Sequence, residues 1–80
     1  MPAEYIKKIK RLISEKFGVT EHEITPDARF EEDFGVDSLD VYELFTEVEE
    51  QFNLSIPDDE VVKMTTVGSL INYIHKHAGV

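Results

Sequence analysis

One serine at a helix start, three histidines and a surplus of carboxylates are the groups with which this chain could do chemistry. His75 and His77 are two residues apart, so on a helix they project to different sides and make a poor metal pair. Ser38 stands between Asp37 and Leu39, outside any Gly-x-Ser-x-Gly turn, and no histidine has an evident reason to sit beside it. A serine–histidine hydrolase is therefore unsupported. Carboxylates are abundant enough for chance pairs to mimic a glycosidase, but 80 residues leave little room for the cleft that reaction needs. The run from Asp33 to Asp40 does not fit a calcium loop, and there is no glycine-rich phosphate loop. Cysteine is absent, which removes disulfides, thiolate metal sites and a cysteine nucleophile. No metal site is expected. What survives is Ser38 itself, set in acidic surroundings.

Charge distribution narrows the partners. Net charge is −9. Residues 1–29 hold five acids and six bases, residues 30–62 hold twelve acids and no base, and residues 63–80 hold two bases and no acid. One central acidic block repels nucleic acid and anionic lipid and attracts basic protein surfaces. The first ten residues are mixed and charged, unlike a secretory signal or a transit peptide. No apolar run approaches the roughly 18 residues of a membrane span, so a soluble chain without membrane insertion is expected. Hydrophobic content of 41%, much of it periodic, argues against disorder.

The elements that must position Ser38 follow from periodicity. Ile6, Ile9, Ile13 and Phe17 give residues 3–17 one apolar helical face, with Gly18 at the expected C-cap. From Gly18 to Asp37 the period breaks, with turn signals at Thr25-Pro26-Asp27 and at Gly35. Thr20 is placed to cap a single helical turn through Glu23. A connection of this length must be ordered or functional. Val19, Ile24, Ala28, Phe30, Phe34 and Val36 give it apolar anchors, so a long loop packed over a helical core is expected. Residues 38–52 form the second helix, with Asp37 as N-cap and Asp40 three residues on. A short helix or turn follows Ile56-Pro57-Asp58, to about residue 63. Thr66 caps a last helix from 67 to about 77, striped by Val67, Leu70, Ile71 and Ile74 and ended by Gly79. No segment alternates like a strand. The expected fold is an all-α, small four-helix bundle, three main helices and one short one, with a long first loop.

The second helix carries a face that the core does not need. Val41, Leu44, Phe45, Val48 and Phe52 fall within one arc of roughly 100°. Asp40, Glu43, Glu47 and Glu50 cluster on another face, and Leu39 projects beside Glu43 and Glu50. A single exposed leucine is ordinary, and an acid stripe is commonly a solvated face. Together they are more specific: an apolar knob among like charges suits docking on basic grooves, where charge steers the encounter and the leucine supplies buried contact. The repulsion within the stripe costs tenths of a kcal/mol per i,i+4 pair, which points to a use.

Gly35-Val36-Asp37-Ser38-Leu39 resembles the attachment motif of the acyl carrier proteins, in which Asp-Ser-Leu is the hallmark. Phe30-Glu31-Glu32-Asp33-Phe34 is similar to that family's loop before the serine. Glu49-Glu50-Gln51-Phe52, Ile56-Pro57-Asp58, Thr65-Thr66-Val67 and Tyr73-Ile74 resemble its later elements in the same order. The likeness covers nearly the whole chain, so residues 1–80 are expected to be one acyl carrier domain. It departs at Val36, where many fatty acid carriers have alanine, at the bulky Tyr42 and Phe45, and at Thr46, where methionine is common.

The resemblance implies a 4′-phosphopantetheine arm on the hydroxyl of Ser38, installed from coenzyme A by a phosphopantetheinyl transferase. Cargo would ride on it as a thioester among cytoplasmic enzymes of dissociated, bacterial-type fatty acid synthesis that present basic docking surfaces. The chain would be a monomeric shuttle and not an enzyme. By position, Asp37 would aid the transferase, and Leu39, Asp40, Glu43, Glu49 and Glu50 would form the recognition surface. Glu47 shares the acid face, and Glu60 would extend the surface along the third helix. Phe45, Val48, Leu70 and Ile71 are candidates to line a pocket for the acyl chain. The alternatives are a dedicated polyketide, D-alanyl or aminoacyl carrier, or an acidic interaction domain that carries nothing.

Overall fold

The computed structural model describes residues 4–78. Gly79, expected to end the last helix, lies outside them. The helices are α1 (Glu4–Phe17), α2 (Phe30–Phe34), α3 (Ser38–Phe52), α4 (Asp58–Val61) and α5 (Val67–Ala78), with a 3₁₀ turn at Glu21–Glu23. No strand occurs among the described residues; the only extended pairing there is an isolated bridge between Arg29 and Thr66. The all-α bundle of three main helices and a short α4 is as expected.

Each long helix buries the stripe its sequence offers. Tyr5, Ile9 and Ile13 of α1, Val41, Leu44, Phe45 and Val48 of α3, and Val67, Leu70 and Ile74 of α5 are buried in one cluster. At Gly18, φ is +70°, and its N–H donates to the Ser14 carbonyl at 2.9 Å, closing α1 in the left-handed conformation that glycine adopts without penalty. Lys16 Nζ lies 3.6 Å from Glu43 Oε1, near the start of α3, and Lys8 Nζ lies 5.4 Å from the Phe52 ring at its end. The two helices therefore run antiparallel, and the start of α3 sits beside the end of α1.

The first connection is more structured than a loop. Thr20 begins a single turn as expected, with both its N–H and its hydroxyl donating to Glu23 Oε1 at 3.0 Å. The five-residue helix α2 was not expected. Its ends, Phe30 and Phe34, are an i,i+4 pair that packs with Phe17, and Phe30 meets Phe45 edge-to-face with centroids 5.6 Å apart. Ile24, Ala28 and Phe30 are buried, so the anchors read from the sequence do hold the segment down.

The backbone of this connection is bonded to the start of α5. Phe30 N–H donates to the Thr65 carbonyl, Val67 N–H to the Ala28 carbonyl, and Gly68 N–H to the Pro26 carbonyl, at 3.0, 3.0 and 2.9 Å. Thr66 caps α5 as expected, its hydroxyl oxygen accepting the Ser69 N–H at 3.2 Å.

Two expectations follow. A Cβ on Gly68 would stand 2.9 Å from the Pro26 carbonyl oxygen, with backbone on both sides. Gly68→Ala should therefore destabilise the protein by about 1–3 kcal/mol despite alanine's better helix propensity, read as a lower midpoint in urea. The second concerns acid. The Arg29 backbone N–H, 2.7 Å away, and then the Arg29 guanidinium hold the Asp33 carboxyl below the usual aspartate range. The Thr20 N–H and then its hydroxyl do the same for Glu23. Both groups have depressed folded values, so their support is present above the ordinary carboxylate range and is lost as pH falls through the folded values. Carboxyl-carbon NMR should place the Asp33 midpoint below that of a model aspartate, and Asp33→Asn should remove this part of the acid sensitivity.

Candidate functional site

Ser38 is the first residue of α3, and its position is set by its neighbours on both sides. At Gly35, φ is +69°, which ends α2 with the Gly35 N–H on the Glu31 carbonyl at 3.1 Å. Val36 is half-buried, and Asp37 is the N-cap. Asp37 Oδ1 accepts the Asp40 N–H at 3.0 Å, and Asp40 Oδ2 accepts the Asp37 N–H at 3.3 Å. This reciprocal box satisfies donors at the helix start. Ser38 is thereby left out of the cap. Its side chain is exposed, and its hydroxyl has no hydrogen-bond partner among the described residues.

An open cavity of about 670 Å³ adjoins it. Ser38, Leu39, Val41 and Tyr42 form one side, Val61, Val62 and Met64 the other, and Phe30 also lines it. The four residues expected to line a pocket are elsewhere. Phe45, Val48 and Leu70 are fully buried and Ile71 half-buried, all four packed into the core rather than around the cavity. The helical stripe identified buried positions; the cavity opens one layer out, between the start of α3 and the end of α4.

The acid face is present but not uniform. Glu43 and Glu50 are exposed, and Leu39 is 63% exposed among them. Glu43 is paired with Lys16, and Glu47 is half-buried. Asp37 and Asp40 face each other's amides in the cap. Glu49 is part of the scaffold, since its Oε2 accepts the Ile56 N–H at 2.7 Å and holds the loop after α3. Glu60, half-buried, lies 3.7 Å from Lys63 Nζ.

Sequence reading missed two exposed apolar groups at the cavity mouth. Val62 is 75% exposed and Tyr42 45% exposed. A valine doublet ending so short a helix was one available signal, since only one of the pair can turn inward. The Tyr42 hydroxyl donates to Asp58 Oδ1 at 2.6 Å, joining α3 to α4. That bond and the negative charge of Asp58 push the phenol above its ordinary value. Two histidines serve as ring partners: His75 stacks on Tyr5 and His77 on Tyr73.

Comparison with known proteins bears on the same residues. The pattern of the family described as a phosphopantetheine attachment site matches residues 7–74. A curated acyl carrier protein of Rubrobacter xylanophilus is 45% identical over 74 residues, which cover 92% of this chain and 91% of that protein. An exposed, unpartnered serine hydroxyl at a helix start, beside an open cleft, fits the attachment of such an arm. With this match over nearly its whole length, the chain belongs to the acyl carrier proteins, the family defined by a phosphopantetheine attachment site.

Proposed function

We propose that residues 1–80 act as one carrier domain of dissociated fatty acid synthesis, bearing a 4′-phosphopantetheine arm on Ser38. The observation that carries this reading is the Ser38 hydroxyl, exposed and without a partner among the described residues. The arm supplies a thiol on which acyl groups travel as thioesters. The chain's own work is to present the hydroxyl, the docking face and the cleft; a transferase and the synthetic enzymes do the chemistry. A monomer in the cytoplasm, with no membrane insertion and no nucleic acid partner, completes the reading.

The amides at the start of α3 favour a phosphate on Ser38 by about 0.3–1 kcal/mol. The Asp37 and Asp40 carboxylates oppose it. The arm is therefore loosely held, which suits a tether that must reach several enzymes. Asp37 helps the transferase dock. Leu39 supplies apolar contact, and Asp40, Glu43, Glu47 and Glu50 supply the field that draws basic surfaces, extended by Glu60 along α4. Glu49 contributes mainly by fixing the loop that ends this face.

Cargo has a natural resting place in the cleft that begins at Ser38. Each methylene buried there stabilises by about 0.8 kcal/mol. Phe45 stands behind Phe30, and Val48, Leu70 and Ile71 form the core beyond, the layer a longer chain would have to displace.

Ser38→Ala should leave the fold nearly unchanged and abolish modification. Co-expression with a transferase should add the mass of one phosphopantetheine to the wild type and nothing to the variant; a wild-type chain that gains none would end the carrier reading. Loading by fatty acyl ligases, but not by aminoacyl ligases, should identify the cargo. Reversing Glu43 and Glu50 to lysine should weaken binding to a basic partner by about tenfold at low salt, and by much less at high salt. Unaltered affinity on both reversals would remove these residues from the docking face.

A further inference from the structure

α4 is the shortest α-helix among the described residues, held between the buried Ile56 and Met64, and it forms one wall of the cleft. It spans four residues, Asp58–Val61, and none of them is buried. A helix so short does not persist alone, because too few hydrogen bonds repay its nucleation. Val61 is only half-buried and Val62 is exposed. The segment is flanked by side-chain bonds from the long helices. Glu49 accepts the Ile56 N–H before α4 begins, and the Tyr73 hydroxyl donates to the Ser55 carbonyl at 3.1 Å. Within α4 itself, the side-chain bond to α3 is Tyr42 to Asp58, at 2.6 Å. Tyr42 is also part of the opposite cleft wall, one turn along α3 from Ser38.

From this arrangement we infer that Tyr42 is a positioning residue for cargo: its hydroxyl clamps α4 to α3 and keeps the cleft beside Ser38 formed before a chain enters. The cavity is open with the bond made, so the clamp preorganises the space and does not shut it. A preformed cleft spares the bound chain the cost of ordering α4. The inference rests on the carrier reading for its consequence to cargo, but the clamp itself is a property of the bare polypeptide.

The two parts are tested separately. Tyr42→Phe keeps the partly exposed ring and removes only the hydroxyl. In the unmodified protein, the amides of Val61, Val62 and Met64, bonded to carbonyls of residues 57, 58, 60 and 61, report the opening of α4. Hydrogen exchange by NMR should show these three speeding up about fivefold or more, with Leu44 and Ile74 unchanged. Asp58→Ala should do the same, and adding it to Tyr42→Phe should have little further effect on exchange. Unchanged α4 exchange in Tyr42→Phe, or fully additive effects in the double variant, would overturn the clamp. For cargo, octanoyl and acetyl thioesters on the arm are exposed to hydroxylamine. Tyr42→Phe should raise the octanoyl cleavage rate about threefold and leave acetyl cleavage unchanged, since two carbons offer too little apolar surface to be held in the cleft. Slower octanoyl cleavage in the variant would show that the bond shuts the cleft and would overturn preorganisation. Equal change for both cargoes would assign Tyr42 a general structural role and overturn it as well. Failure to attach any arm would refute the carrier reading and leave the exchange result standing.

Discussion

The start of α3 must satisfy its unpaired amides without using the serine that begins it. A serine at a helix start ordinarily turns back on the backbone as a cap. Here Asp37 and Asp40 bond each other's amides instead, and Ser38 is displaced into the first turn with no partner among the described residues. The rest of the architecture serves this arrangement. Gly35 turns the chain out of α2 in a left-handed conformation, Val36 anchors the turn, and the buried face of α3 fixes the direction in which the helix leaves.

Acidity is tolerated because it is confined to surfaces. The ion pairs made by Lys16, Arg29 and Lys63 are all open to solvent on at least one side and contribute little each. No polar or charged side chain is buried among the described residues. Stability therefore comes from the apolar cluster and from backbone bonding, while the carboxylates on α3 remain at the surface. Glu49 is the exception in kind, a carboxylate on the flank of the stripe that ties down the chain beyond the helix.

The long helices were legible because their burial repeats every three to four residues, and periodicity reads that directly. The single turn after Thr20 was legible from its cap alone. α2 was not, because a run from Phe30 to Phe34 is too short to display a period; only its two aromatic ends were visible as anchors. The site serine and its caps were legible from residue types at fixed spacing. The cleft was not. A helical wheel tells which side chains turn inward, as it did for Phe45, Val48 and Leu70, but a void depends on how far one helix stands from another. Tyr42 and Asp58, which bridge the two helices here, are sixteen residues apart, and no local pattern links them.

The hydrogen bonds that fasten the first connection to α5 also bear on how the bundle assembles. Pro26 and Ala28 supply carbonyls whose donors, Gly68 and Val67, belong to the other end of the chain. Until α5 docks, those carbonyls have only water to bond. The contacts that close the fold are distant in sequence, so loop closure has to precede them. The first connection is therefore fastened only when α5 docks.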